Sequence, residues 1–198
     1  ILLPIFFPIL AGFCLLVCPK KPDRKLLIIT TGICLVVTAM LILCTLLSGK
    51  QELTLFYLTR TLPIYFKIDE VGILFCLLTV VVFVSAGFLS FVYMTHEQKE
   101  KRYYGFYLMV FGVLNALCFA GNLITFYLFF ELLTLSSMPL VLHTGSREAI
   151  MAGLKYLFYS LCGAYAGLFG IYFLYHNCDP LTFTAGGVLQ TTAIAEQG

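Results

Sequence analysis

A succession of long apolar runs separated by short charged junctions constrains this chain more than any other feature. A membrane-crossing helix needs about 20 predominantly apolar residues. Residues 1–17, 26–47, 68–93, 103–120, 122–143 and 149–175 each read as one crossing. The predicted fold is therefore an all-α polytopic membrane protein with about six transmembrane helices. Pro4 and Pro8 are expected to bend or delay the first helix. Asp69 and Glu70 lead the third, where a capping carboxylate and the helix dipole favour acidic residues. Gly121 and Asn122 make a tight break before the fifth. Residues 50–67, with Pro63, form a mixed connection compatible with a short strand, an interfacial helix or neither.

Composition excludes a single soluble core. Apolar residues make up 61% of the 198 positions and charged residues 11%, against roughly 25% charged in ordinary soluble domains. The charges also have a sidedness. Lys20, Lys21, Arg24, Lys25, Lys99, Lys101, Arg102 and Arg147 follow the first, third and fifth spans, whereas Lys50, Arg60 and Lys67 follow the second. The positive-inside rule predicts that the first group is cytoplasmic and the N-terminus outside. The expected location is the cell inner or plasma membrane, crossed several times. These short basic junctions form no continuous groove, so no nucleic-acid partner is expected.

The eight cysteines include no CxxC and no Cys/His cluster with metal spacing, so neither a disulfide framework nor a metal site is expected. Within the spans they read as small buried residues. No nucleotide fingerprint, HExxH or nucleophilic triad is present, and no cofactor is predicted. Tyr103, Tyr104 and Tyr107 read as a membrane-edge belt. Gly153, Ser160, Gly163, Gly167 and Gly170 mark a small-residue stripe of the kind that lets membrane helices approach closely, as do Gly105, Gly112 and Ala116.

Polar residues inside the spans are the candidate functional residues. Glu131 lies near the middle of the fifth span, and Lys155 about two turns into the sixth. Intramembrane ionisable residues point to a pathway, a relay or a buried polar network. A carboxylate whose proton affinity responds to a nearby cation can load and release a proton. Glu131 and Lys155 are thus the proton-relay candidates, with snorkelling as the competing role for Lys155. Asn115, Thr134, Ser137 and His143 are secondary polar candidates. Thr134 shares a broad face with Glu131, and Pro139 frees the carbonyl near Leu135. Hydroxyls bonded to their own helix are the alternative reading. His96, His143 and His176 sit at span ends, where interfacial solvation competes with proton transfer.

Three segments carry a family resemblance. KIDEVGILF at 67–75 resembles the acidic lead-in to helix three of the proton-translocating antiporter-like membrane proteins. NLITFYLFFELLTLSSMPLVL at 122–142 resembles their helix five, and REAIMAGLKYLFYS at 147–160 the start of helix six. The resemblance places the family's key glutamate at Glu131 and its helix-six lysine at Lys155. It implies the N-terminal part of a fourteen-helix subunit containing two inverted five-helix repeats. Residues 1–102 would form an N-terminal three-helix segment, 103–176 a partial repeat and 177–198 the start of the next connection.

The family includes subunits of respiratory NADH dehydrogenase, membrane-bound hydrogenases and multisubunit Na+/H+ antiporters. LSSMPLVLH and LKYLFYS favour the group of D-type antiporter subunits. The implied partners are other integral membrane subunits, protons, Na+ and the lipid bilayer. A redox-driven pump and a non-translocating assembly subunit are the alternatives. In a redox-driven complex, the redox centres would belong to partner subunits.

Overall fold

The computed structural model describes residues 1–19, 23–49, 51–59, 62–96, 99–177 and 182–183. The side chains of His96, His176 and Asn177 lie outside this description. So do Lys20, Lys21, Lys50, Arg60, Cys178 and the segment 184–198. Among the described residues the chain forms six α-helices: α1 (Leu2–Val17), α2 (Arg24–Leu47), α3 (Glu70–Tyr93), α4 (Glu100–Cys118), α5 (Leu123–Val141) and α6 (Arg147–Asn177). The connection after α2 is an antiparallel hairpin, β1 (Glu52–Thr59) and β2 (Leu62–Lys67). Of the conformations open to residues 50–67, the strand is the one observed.

Four helices, α2, α3, α5 and α6, are long and apolar enough to cross a membrane. Their outward residues include Leu74, Leu78, Leu89 and Val92 on α3 and Phe158, Tyr165 and Phe169 on α6. Lipid solvates such a surface at no hydrophobic cost. α1 is a shorter apolar helix of 16 residues. α4 differs from the rest because it is the axis of the bundle, contacted by α1, α2, α3 and α5.

Successive helices run antiparallel. Gly32 and Gly87 touch Phe91 and Leu35 across α2–α3, and the Tyr107 hydroxyl donates to the Phe83 carbonyl across α3–α4 at 2.6 Å. Arg24, Thr95 and Glu100 therefore share one end, with Arg24 bonded to Thr95 at 2.6 Å and paired with Glu100 at 3.0 Å. The hairpin lies at the other end.

The α1–α4 crossing is the closest packing in the molecule. A Cβ on Gly12 would collide with the carbonyl of Gly105, and one on Gly112 would come within 2.6 Å of the Ile5 carbonyl. Small residues here let two backbones touch. Pro8 lies inside α1 without ending it. It has no N–H to offer the carbonyl four residues earlier. That carbonyl, on Pro4, instead accepts from Asn115 Nδ2 at 3.2 Å.

Tyr104 and Tyr107 do not form a membrane-edge belt. Both are buried, and their hydroxyls donate to the carbonyls of Ser90 and Phe83. Helix α4 is surrounded by protein, so its aromatic residues pack inward and bond backbone carbonyls. The cysteines also depart from expectation. Cys76 is buried, but Cys14, Cys18, Cys44 and Cys162 are exposed on the bundle surface.

The remaining caps follow the sequence closely. Asp69 Oδ1 accepts from the Gly72 backbone N–H at 2.6 Å, fixing the start of α3. Asn122 Oδ1 accepts from the Thr125 N–H at 2.7 Å, while its Nδ2 donates to the Pro63 carbonyl at 2.8 Å. One side chain thus caps α5 and ties it to the hairpin. The Gly121 N–H donates to the Tyr65 carbonyl and the Lys67 N–H to that of Phe119, which docks β2 onto the α4–α5 turn.

Candidate proton-transfer site between α5 and α6

Two hydroxyl pairs set the register of α5 against α6. Thr134 Oγ1 lies 3.0 Å from Ser160 Oγ, and Ser137 Oγ lies 2.8 Å from the Tyr156 hydroxyl. Thr134 and Ser137 are one turn apart on α5, and Tyr156 and Ser160 one turn apart on α6. The four hydroxyls therefore form two rungs across one seam. Each rung also anchors locally on α5: Thr134 donates to the Phe130 carbonyl at 3.3 Å, and Ser137 to that of Thr134 at 3.2 Å. A hydroxyl both donates and accepts, which is the property a proton-conducting chain requires.

Glu131 lies one turn before Thr134 on α5, next to the first rung. Its Oε1 is buried and has no hydrogen-bond partner among the described residues. Tyr127, one turn earlier, is within hydrogen-bonding and electrostatic reach of the Glu131 carboxylate and within electrostatic reach of Tyr165 on α6, so the unpartnered position is Oε1 and not the whole carboxylate. A carboxylate oxygen buried without a donor is costly. This is the feature of the seam that ordinary helix packing does not account for.

The structure does not bring Glu131 and Lys155 together. With Thr134 level with Ser160, Glu131 falls level with Gly163, and Lys155 falls near Pro139. Eight residues at 1.5 Å rise separate the two levels by about 12 Å along the helix axis. The ion pairs among the described residues, Arg24–Glu100 and Lys67–Glu52, involve neither residue. Lys155 is exposed on α6. Its neighbour Tyr156 holds the second rung, so the ladder extends from the turn of Glu131 toward the level of Lys155.

His143 is buried beyond the end of α5, its ring edge-on to Tyr103 at 5.5 Å between centroids. Asn115 is fully buried on α4, bonded to Pro4 and accepting from Cys76 Sγ at 3.9 Å. It belongs to the α1–α3–α4 contact and not to the α5–α6 seam. Sequence reasoning misses Tyr156 as a site residue and gives Ser160 only a packing role. Their sequence signal is a pair of hydroxyls at i and i+4 facing Thr134 and Ser137 at i and i+3.

The small-residue stripe on α6 divides into two parts. Gly153 fits against Leu142, and Ser160 joins the ladder. A Cβ at Gly163, Gly167 or Gly170 would meet nothing within 4 Å among the described residues.

Comparison with known proteins agrees with this architecture. Residues 120–195 match the family described as NADH:quinone oxidoreductase/Mrp antiporter, TM. The chain is 26% identical over 178 residues to the D subunit of the Na(+)/H(+) antiporter of Bacillus subtilis (strain 168), a match covering 88% of this chain and 36% of that protein. The chain thus shows a family-level similarity to antiporter-like membrane subunits. A second protein to which the chain is similar is NADH-ubiquinone oxidoreductase chain 4 of Ceratitis capitata. It is 39% identical over 83 residues, covering 38% of this chain and 19% of the relative.

The fold also recurs in a solved structure, the membrane-bound sulfane sulfur reductase (MBS), described as an archaeal respiratory membrane complex. The TM-score is 0.70 at 21% identity, covering 91% of this chain and 28% of the matched one. The chain spans well under half the length of the curated relatives it matches. Helices α5 and α6, which carry the hydroxyl ladder and Glu131, lie inside the family-matched region.

Proposed function

We propose that this chain is part of a proton-translocating membrane subunit of a multisubunit Na+/H+ antiporter. The observation that carries the reading is the placement of Glu131, its Oε1 buried without a donor, one turn from a two-rung hydroxyl ladder. Glu131 holds a proton within the bilayer. Thr134, Ser160, Ser137 and Tyr156 pass it along the α5–α6 seam by exchanging donor and acceptor roles. Lys155 receives or repels charge at the far end of the ladder and tunes Glu131 at a distance. The eight basic junction residues support a cytoplasmic location for the Arg24–Glu100 end of the bundle. Residues 103–176 supply the opening helices of a repeat, and further membrane subunits complete the assembly.

The test is Na+-induced collapse of a preformed pH gradient in everted vesicles containing the complete assembly. Wild type and Glu131→Gln are compared at matched complex abundance, without substrate for any redox partner once the gradient has formed. The proposal expects collapse in wild type and its loss in the variant. Equal collapse in both removes Glu131 from the route.

Similarity to a component of NADH-ubiquinone oxidoreductase favours a second setting for the same chemistry, a redox-driven pump. That reading expects no Na+-induced collapse in wild type, and pumping that starts only when electron-donor substrate is supplied.

A further inference from the structure

At the hairpin end of the bundle, α3 and α4 approach closely enough that a Cβ on Gly72 would meet the Cys118 carbonyl. One turn along α3 from Gly72 is Cys76, whose Sγ donates to Asn115 Oδ1 at 3.9 Å. One turn along α4 from Asn115 is Cys118, whose Sγ lies 3.9 Å from Thr79 Oγ1. These contacts gather the two thiols, with Asn115 and Thr79, into one side-chain quartet at the α3–α4 seam. Both are free in this structure.

Cys76 is fully buried, whereas Cys118, the last residue of α4, is partly exposed. It sits just before the Phe119–Gly121 turn that carries β2. One thiol of the pair is thus reachable from the end of the bundle, and its partner waits behind it. Of the other described cysteines, Cys14, Cys18, Cys44 and Cys162 are exposed on the bundle surface.

We propose that Cys76 and Cys118 are an oxidisable pair that takes up a small disulfide and converts to an interhelical disulfide between α3 and α4. The Cys118 thiolate attacks one sulfur of a low-molecular-weight disulfide, since the thiolate is the attacking species. The S–S bond of the reagent breaks, and its first half leaves as a thiolate. Cys76, deprotonated, then attacks the Cys118 sulfur of the mixed disulfide and expels the second half. The two cysteines lose two electrons and two protons. The reagent gains both and departs as two thiols. The close α3–α4 approach at Gly72 lies one turn from Cys76 and brings the two helices together beside the pair. Asn115 and Thr79 hold the two sulfurs facing the seam.

The experiment treats membranes carrying the full-length protein in its assembly with cystamine, a small aliphatic disulfide. Remaining thiols are then blocked, and peptides are mapped by mass spectrometry without reduction. The expected result is a Cys76–Cys118 linked peptide as the main form of Cys118, abolished by dithiothreitol. In Cys76→Ser, Cys118 is expected to retain cysteamine as a mixed disulfide. Wild-type Cys118 carrying cysteamine beside a free Cys76 overturns the proposal, because the thiols then do not meet. Recovery of both thiols unreacted overturns it as well, because the site is then closed. The wild-type outcome decides the matter even where a variant fails to assemble.

Discussion

Asn115 Nδ2 donates to the carbonyl oxygen of Pro4 at 3.2 Å, satisfying the acceptor that Pro8 leaves unpaired inside α1. A proline in one helix and an asparagine 107 positions after it on another thus form one structural unit. Both groups are buried, so the bond is not exchangeable for one to water. Truncating the amide strands a carbonyl in the α1–α4 contact, at a cost of about 1–3 kcal/mol.

Asn115→Leu is therefore expected to lower the unfolding temperature of the purified complex in detergent. The cost is expected to shrink when Pro8→Ala is added, because alanine at position 8 restores an N–H for the Pro4 carbonyl. A double-mutant cycle measures this coupling. Equal costs of Asn115→Leu in the two backgrounds would mean that the bond contributes nothing.

Glycine positions separate the packed face of the bundle from the open one. Gly12→Ala and Gly112→Ala push a methyl group into backbone carbonyls of the opposite helix. Overpacking of this kind costs about 1–3 kcal/mol or more. Gly167→Ala meets nothing within 4 Å among the described residues and gains helix propensity. Gly12→Ala and Gly112→Ala are expected to bring complex yield and thermal stability well below wild type.

Most of the helices are legible in the sequence because lipid imposes an unambiguous code. The α3 boundary at Asp69 is readable from a single capping side chain, whereas Asn122 reads in sequence only as part of a tight break and is shown by the structure to cap α5. The role of α4 is not. Its Tyr104 and Tyr107 look interfacial in one dimension, and only the convergence of four helices on α4 shows them to be core. The hydroxyl ladder is half legible. Thr134 and Ser137 stand out within an apolar run, but Ser160 and Tyr156 become their partners only once the α5–α6 register is known. Helix periodicity places residues on faces, and it does not say how far one helix slides along another. The same missing register leaves the Glu131–Lys155 separation undetermined by sequence.

The hairpin responds to pH at both extremes. The Tyr65 hydroxyl bonds Glu52 across the hairpin, and Lys67 lies 3.4 Å from Glu52. These interactions hold the Glu52 carboxyl below its ordinary range, the bond from Tyr65 contributing most. Burial, followed by the bond to Glu52, pushes Tyr65 up to about 12. Glu52 has a depressed folded pKa, so its contribution is present above the unfolded value and is lost as pH falls through the folded one. Tyr65 has a raised folded pKa, so its contribution is present below the unfolded value near 10 and is lost as pH rises toward about 12. Hairpin order, followed by protease protection of the 50–67 connection, is expected to be flat across neutral pH. It is expected to fall at both ends. Tyr65→Phe is expected to remove the tyrosine contribution to the alkaline loss and raise the Glu52 pKa toward normal.

The ladder makes a prediction distinct from that for Glu131. Ser137→Ala and Tyr156→Phe each remove one side of the same rung. If that rung carries protons, either change slows proton flux by about tenfold, equivalent to a barrier increase of about 1.4 kcal/mol. The double variant is expected to be little slower than either single one, because the rung is already broken. Multiplying effects in the vesicle assay would assign the two hydroxyls to separate routes.

Proton transfer along the α5–α6 seam requires that Glu131 gain and lose a proton while the assembly works. Infrared difference spectroscopy of the complete assembly, with glutamate carboxyl groups labelled with carbon-13, measures this directly. A pH jump in wild type is expected to produce a protonated-carboxyl C=O band that shifts with the label, changes in step with ion flux and vanishes in Glu131→Gln. A label-sensitive spectrum identical in wild type and Glu131→Gln, with proton flux intact in both, would contradict the account.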